Sequence, residues 1–202
     1  MEPIIVVLGP FGGGTSAVAG VLHHLGVHLG TGFGRLDREP PDTWEDVDLA
    51  ELCRAAFTEP QGTFRVDPDT FDAGLRDWAD AHRRVARAHV RPSGAKHPSL
   101  CLAVPRLLQV WRPIVPVVVR RPVGKVVASL RQGGWWTEGQ RVATTTKLVE
   151  ERDRALANVP TVDVDFERLR AEPREAIRLL ADQLGLVPEP ERLAVAARGI
   201  MP

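Results

Sequence analysis

A glycine-rich segment near the start of the chain, Gly9-Pro10-Phe11-Gly12-Gly13-Gly14-Thr15-Ser16, holds the residues best suited to binding an anion. Glycines let an anion approach the backbone without a Cβ in the way, and the backbone N–H groups can point inward at it. A helix that begins at such a loop adds positive potential from its first turn. A glycine run alone could equally form a tight turn, so the flanking elements decide between the two interpretations.

Those flanking elements favour a phosphate-binding loop. The apolar, β-branched run 4–8 predicts a strand buried on both faces. After the loop, apolar residues recur at helical spacing from Val18 to Leu25, and Gly26 predicts the end of that helix. Strand, glycine loop and helix in this order are typical of a phosphate cradle.

Further candidate residues follow other predicted strands. Lys96 and His97 lie at the end of a short strand in 94–98, and Arg120-Arg121 end a strongly apolar strand over 114–119. A last strand covers 161–164. Strands that alternate with helices predict a three-layer α/β/α fold with a central parallel sheet, here a single domain of 202 residues. Since sites in such sheets lie beyond the carboxyl ends of the strands, we expect the loop and these side chains to meet at one edge.

The predicted helices lie between these strands. Residues 27–43, rich in Gly, Pro and Asp, predict a long loop near the phosphate site. The helices after the first one are expected at Trp44 to Phe57, from an N-cap at Asp69 to about His89, from Ser99 through Pro105, after Arg121-Pro122, at about Glu138 to Asn158, and at Phe166 to Leu184.

Composition gives no overall signal for several classes of function. Lys plus Arg and Asp plus Glu each total 26, so the zero net charge gives no overall signal for nucleic acid or an anionic membrane. Cys53 and Cys101 belong to no CxxC pair; we expect buried free thiols, although the sequence leaves a disulfide open. No metal-ligand motif is present, so no metal is expected. Without an export signal or a membrane-length apolar run, we expect a soluble cytoplasmic protein.

Several segments, in order, resemble the P-loop sulfotransferase family of bacterial type, which uses 3′-phosphoadenosine 5′-phosphosulfate. They are GPFGGGTSAVAGVLHHLGV, similar to the 5′-phosphosulfate loop and helix; TWEDVDLAEL, similar to a Trp-Glu segment; GAKHPSLCLAVPRLL, similar to a Lys-Asp-Pro-Arg strand and helix; VVVRRPVGKVVASL, similar to the 3′-phosphate segment; and the closing VDVDFERLRAEPREAIRLLADQLGL. The resemblance implies a P-loop fold and sulfonate transfer to a hydroxyl, or an amine, of a small-molecule or glycan acceptor. The sequence indicates no oligomeric state.

The resemblance also implies which residues bind the donor. The 5′-phosphosulfate would be held by Gly12, Gly13, Gly14, Thr15 and Ser16. Arg121 and Ser129 match the spacing of the family's 3′-phosphate ligands, and Arg120 is a substitute because Pro122 comes one position early. An arginine pair at a strand end could instead be a solvated edge.

Three residues are candidates for the chemical step. Glu45 lies where several family members place a catalytic carboxylate, although an acid at this point could simply begin a helix. His97 replaces the family's usual Asp and is a second candidate base, or a structural histidine. Lys96 could contact the sulfonate or the bridging oxygen, or lie at the surface.

The loop departs from the family at Gly12, where the family normally has Lys or Arg. That cation would stabilise the leaving phosphate, so Lys96, Arg120 or another residue must supply the charge, or the protein binds the donor without efficient transfer. A non-catalytic nucleotide-binding protein is therefore one alternative.

A second alternative is a P-loop nucleotide kinase, since Gly9 to Ser16 fits the kinase loop except for Thr15 in the lysine position. A kinase needs a carboxylate for Mg²⁺ at a strand end, and arginines follow the 114–119 strand instead. On the acceptor side, Trp135-Trp136 could form a wall for the acceptor or ordinary packing.

Overall fold

Four parallel strands form the central sheet of the computed structural model, which describes residues 2–32 and 43–200. The strands are β1 (Ile4–Leu8), β2 (Ser93–Lys96), β3 (Ile114–Arg120) and β4 (Val162–Asp165). Their spatial order is β2-β1-β3-β4, so β1 lies between β2 and β3. The register pairs Val7 with Lys96 on one side and with Val117 on the other. All four predicted strands and their parallel arrangement are confirmed.

Helices cover both faces of this sheet. They are α1 (Thr15–His24), α2 (Val47–Ala56), α3 (Pro68–Ala88), α4 (Leu100–Val110), α5 (Val123–Gln132), α6 (Glu138–Leu156), α7 (Phe166–Ala171), α8 (Pro173–Gln183) and α9 (Pro190–Arg198).

The two faces of β1 show why three layers form. Ile4, Val6 and Leu8 pack with buried residues of α2, α3, α4 and α6. Ile5 and Val7 point the other way and pack with α1, α7, α8 and α9. Alternate residues of a strand point to opposite faces, so a continuous apolar run supplies two cores at once. The predicted three-layer α/β/α architecture is confirmed.

Three helix predictions need correction. The second helix begins at Val47 rather than Trp44, because Trp44 has a positive φ of 54° and Asp46 caps the helix by accepting from the Leu49 N–H. The third begins at Pro68, and its N-cap is Asp67 rather than Asp69.

After Pro188 the chain forms a further helix, α9, which packs on α1. Pro190 in its first turn suits the start of this helix, whereas the sequence analysis placed no helix after Leu184.

The remaining expectations concern the two cysteines, the long loop and membrane-length segments. Cys53 and Cys101 are free and buried, as expected. Most of the long loop expected over 27–43 lies outside the described residues, since 33–42 are not described. Within residues 2–32 and 43–200, no helix is long and apolar enough to cross a membrane.

Candidate functional site

The glycine loop joins β1 to α1 and is shaped for close approach to its backbone. Gly12 and Gly14 have φ values of 70° and 91°, which side chains rarely tolerate. A Cβ on Gly14 would come within 2.3 Å of the Phe166 ring, so glycine is required there. The Gly13 N–H donates to the Pro10 carbonyl at 2.9 Å and closes the turn.

The first turn of α1 opens into this loop. It contains no acidic residue, and no side chain in the described part of the molecule caps it. Unpaired N–H groups at a helix start attract an anion. Thr15 is buried and Ser16 half-buried at this point. The loop therefore offers backbone donors and hydroxyl groups of the kind that phosphate accepts from, which fits the group the resemblance implies.

Lys96 brings a cation to the loop from the end of β2. Its Nζ donates to Ser16 Oγ at 3.1 Å and to Glu45 Oε1 at 2.5 Å. The Lys96 side chain is only 2% exposed. Burial lowers the pKa of this ammonium group, and the Glu45 carboxylate opposes that shift. The structure thus joins two separately predicted residues, Lys96 and Glu45, with a hydroxyl of the loop helix.

Glu45 is held by the turn that leads into α2. Its neighbour Asp46 accepts from the Leu49 N–H at 3.2 Å and from Trp78 Nε1 at 2.8 Å through the same carboxylate oxygen. Trp44, on the other side, is buried against α1, where its indole nitrogen lies close to Gly20. These contacts fix the backbone on both sides of Glu45, so its carboxylate has few positions available.

His97 lies beside the same carboxylate. Its Nε2 is 3.9 Å from Glu45 Oε2, and its Nδ1 accepts from the Ser99 N–H at 3.2 Å. Because Nδ1 is an acceptor, the proton of the neutral ring is on Nε2, facing Glu45. Burial lowers the pKa of His97 to about 4, so the ring is neutral at neutral pH.

Arg121 also reaches the loop, from the end of β3. Its Nη1 donates to the Gly12 carbonyl at 2.8 Å, and its Nε donates to Glu167 Oε1 at 3.1 Å. The guanidinium lies over the Phe166 ring, 4.8 Å from the centroid. The residue at the position that lacks the family's cation, Gly12, is therefore in direct contact with a cationic side chain.

Arg120 points elsewhere. It is half exposed and pairs with Asp163 at 2.9 Å and with Asp153 at 3.6 Å. Ser129 lies half-buried on α5, next to Leu130, whose side chain packs against Gly12. Of the two arginines, Arg121 is the one that contacts the loop.

Three residues that surround Arg121 were not predicted as site residues from the sequence. They are Phe166, Glu167 and Lys125. Glu167 pairs with both Arg121 and Lys125. A usable signal existed, because Phe166 and Glu167 directly follow β4, and parallel strands end at the same edge of the sheet.

An aromatic cluster lies next to His97. Phe11 of the loop contacts the rings of Trp136 and Trp135, with centroids 5.3 and 5.9 Å away, and that of His97 at 6.3 Å. Trp135 is 46% exposed. An accessible aromatic surface therefore adjoins the Lys96–Glu45 pair. In the described residues, no group of three or more His, Cys, Asp and Glu side chains is arranged to hold a metal ion.

Comparison with solved structures finds this arrangement of elements in bacterial enzymes. Sulfotransferase STF1 from Mycobacterium tuberculosis H37Rv matches with a TM-score of 0.58 and 17% identity, over 98% of this chain and 71% of that one. The sulfotransferase domain of the Synechococcus PCC 7002 olefin synthase matches with 0.59 and 17%, over 95% and 76%. The chain has the fold of the bacterial sulfotransferases.

A third match to that sulfotransferase fold is STF9 from Mycobacterium avium, with a TM-score of 0.56 and 14% identity over 98% of this chain and 67% of that one. No family model matches the sequence, and no curated protein matches it either. The likeness thus establishes the fold, as the sequence resemblance predicted. The donor and the acceptor have to be argued from the site.

Proposed function

We propose that this protein is a sulfotransferase that moves a sulfonate from 3′-phosphoadenosine 5′-phosphosulfate to a hydroxyl or amine of a small-molecule or glycan acceptor. The observation that carries the proposal is the position of Lys96, whose ammonium group contacts Ser16 at the start of α1 and the Glu45 carboxylate. One buried cation thereby lies between an anion-binding loop and a candidate base.

Lys96 supplies the charge that the loop lacks at Gly12. Sulfonate transfer breaks the bond between sulfur and the oxygen that bridges to the phosphate, and that oxygen leaves with negative charge. A cation fixed at this point, in a site shielded from water, stabilises the developing charge more strongly than one in bulk solvent. Lys96 meets both conditions, since it is buried and in contact with the loop helix.

Glu45 is the proposed base. The acceptor oxygen forms a bond to sulfur, its proton passes to the Glu45 carboxylate, and adenosine 3′,5′-bisphosphate departs. Of the two candidate bases, His97 is disfavoured by its hydrogen bonding: its Nδ1 accepts from the Ser99 N–H, so Nε2 carries the proton and neither nitrogen is free to accept another. His97 is then a neutral group whose Nε2 lies 3.9 Å from the carboxylate.

The nucleotide is proposed to extend from the loop toward Arg121. The backbone of Gly12, Gly13 and Gly14, with Thr15 and Ser16, would hold the 5′ end. Arg121, stacked on Phe166 and bonded to the loop, would bind the 3′-phosphate together with Ser129 of α5. Arginine suits this task because its planar fork matches phosphate oxygens.

The acceptor is proposed to rest on the aromatic cluster of Phe11, Trp135 and Trp136, which lies beside His97 and hence beside the base. Aromatic faces offer stacking to the apolar face of a ring, whether of a sugar or of an aromatic compound. This predicts a ring-bearing acceptor, whose hydroxyl or amine reaches Glu45.

A nucleotide kinase is less well supported by the same contacts. Its loop hydroxyl would bind Mg²⁺, but Ser16 accepts from Lys96. The carboxylates at the end of β4 are also engaged: Asp163 pairs with Arg120, and Asp165 caps α7 by accepting two N–H groups.

Donor turnover tests the proposal. The wild-type protein is incubated with 3′-phosphoadenosine 5′-phosphosulfate and a panel of ring-bearing acceptors, in the presence of a chelator, and adenosine 3′,5′-bisphosphate is quantified. We expect turnover that Lys96→Met lowers about 10²–10³-fold and Lys147→Met leaves intact; Lys147 donates only to the Gln61 and Gly62 carbonyls, within the described contacts. Binding of the donor without turnover would favour the non-catalytic alternative, and a requirement for Mg²⁺ and ATP the kinase.

A further inference from the structure

We propose that the Glu167 carboxylate is an internal anion that occupies the place of the nucleotide's second phosphate, so that this side chain sets how strongly the protein prefers a 3′-phosphorylated nucleotide. The inference rests on the proposed function, because it assumes that Arg121 binds that phosphate.

Both oxygens of Glu167 are bonded to cations. Oε1 accepts from Arg121 Nε at 3.1 Å, and Oε2 accepts from Lys125 Nζ. The hydrogen bond from Lys125 and the further one from Arg121 lower the pKa of Glu167, so it is ionised at neutral pH. A carboxylate between two cations uses the same charge-assisted hydrogen bonds that a phosphate would use.

The backbone of Glu167 is fixed, but its side chain can rotate and move the carboxylate away from the two cations. Its N–H donates to Asp165 Oδ1 at 2.9 Å at the start of α7, and the preceding Phe166 is buried between Gly14 and the Arg121 guanidinium. The Glu167 side chain is itself 28% exposed. Rotation of the side chain can therefore free both cations without moving α7.

The charges of these three side chains explain why Glu167 affects the preference for a 3′-phosphorylated nucleotide. Arg121 and Lys125 carry two positive charges, and Glu167 neutralises one of them. An incoming 3′-phosphate must displace the carboxylate and remain near a like charge, which weakens its binding. A nucleotide with a phosphate only at the 5′ position binds at the loop and leaves the Glu167 contacts in place.

The test compares two nucleotides with three proteins by calorimetric titration. Adenosine 3′,5′-bisphosphate and adenosine 5′-monophosphate are titrated into the wild type, Glu167→Gln and Glu175→Gln. Glutamine keeps the shape and an acceptor oxygen but removes the charge. Glu175 is a matched control, because it pairs with Arg168 at 2.8 Å on the surface, away from the loop.

We expect Glu167→Gln to bind the bisphosphate about tenfold more tightly, as when one like charge is removed beside a phosphate, and the monophosphate with unchanged affinity. Glu175→Gln should match the wild type for both. Unchanged or weaker bisphosphate binding by Glu167→Gln would overturn the inference, because Glu167 would then only position Arg121. If no protein of the three binds the bisphosphate, the proposed function fails and the inference with it.

Discussion

Two cation–carboxylate pairs contact the glycine loop from opposite sides, and they differ in burial. Lys96, at the end of β2, and Glu45, just before α2, have side chains 2% and 15% exposed. Arg121 and Glu167, at the ends of β3 and β4, are 13% and 28% exposed. The first pair touches the helix start at Ser16, whereas the second touches the loop at Gly12.

This difference in burial suits the two pairs to different roles. Charges in a dry environment interact strongly and cost much to leave unpaired, which suits a group that stabilises charge in a reacting bond. A more exposed pair can exchange its carboxylate for a ligand's phosphate at small cost, which suits reversible binding. Within the proposed function, we therefore propose that the Lys96 pair serves the chemical step and the Arg121 pair nucleotide affinity.

The largest effect is expected when Lys96 is replaced by Met. Loss of a buried group that stabilises developing charge should lower the rate of donor turnover about 10²–10³-fold. It should also lower the free energy of unfolding by about 3 kcal/mol, because Glu45 loses its buried cationic partner. Turnover assays and urea denaturation measure the two quantities.

A double variant distinguishes the stability that comes from the ion pair from the stability that comes from side-chain packing. Lys96→Met combined with Glu45→Gln removes both charges, so the two stability losses should not add. Fully additive losses would show that the pair is not coupled, contrary to the geometry.

Replacement of Arg121 by Ala should act on affinity instead. We expect binding of adenosine 3′,5′-bisphosphate to weaken by about 1–3 kcal/mol, as for loss of a charge-assisted hydrogen bond, with less effect on adenosine 5′-monophosphate. Calorimetry measures both ligands. Equal weakening of the two would assign Arg121 to the 5′ end of the nucleotide through its contact with Gly12.

Stability should depend on pH through His97. The pKa of this residue is lowered from 6.5 to about 4 by burial, so between these values the unfolded chain binds more protons than the folded one. Stability is then lost as the pH falls, by about 2 kcal/mol for this group between pH 8 and pH 5.

His97→Gln isolates that contribution in denaturation curves at the two pH values. His23, His24, His28 and His82, whose pKa values are also lowered, remain in the variant and contribute to the residual loss. A variant with the same pH dependence as the wild type would show that His97 is not held neutral in the fold.

The smallest effect is expected for Arg120→Ala. Arg120 is half exposed and already paired with Asp163 and Asp153, so nucleotide affinity should change by less than about 0.5 kcal/mol. The same titrations measure it. A larger loss than in Arg121→Ala would move the 3′-phosphate assignment to Arg120.

The sequence predicted the strands well because their signal is local. Ile4 to Leu8 and Ile114 to Val119 are apolar runs between polar segments, and such runs become buried parallel strands. Helix starts were less predictable: Asp67 and Asp69 are both suitable caps, and Pro68 at the first position decides for Asp67.

The site was predicted as a set of residues but not as a set of contacts. Lys96 and Glu45 were selected separately. They are 51 residues apart in the sequence, and no sequence pattern indicates that they pair. Which arginine would face the loop depended on the direction of each side chain at the end of β3. Glu167 was missed because its role follows from the adjacency of β3 and β4, which is a property of the sheet.

The central claim is that the loop, Lys96 and Arg121 form one pocket for a doubly phosphorylated adenosine. Titration of adenosine 3′,5′-bisphosphate into the wild-type protein, in the presence of a chelator, tests this most directly. We predict one site per chain with a Kd on the order of micromolar. Absence of binding under these conditions would contradict the account, and tight binding of ATP that requires Mg²⁺ would favour the kinase instead.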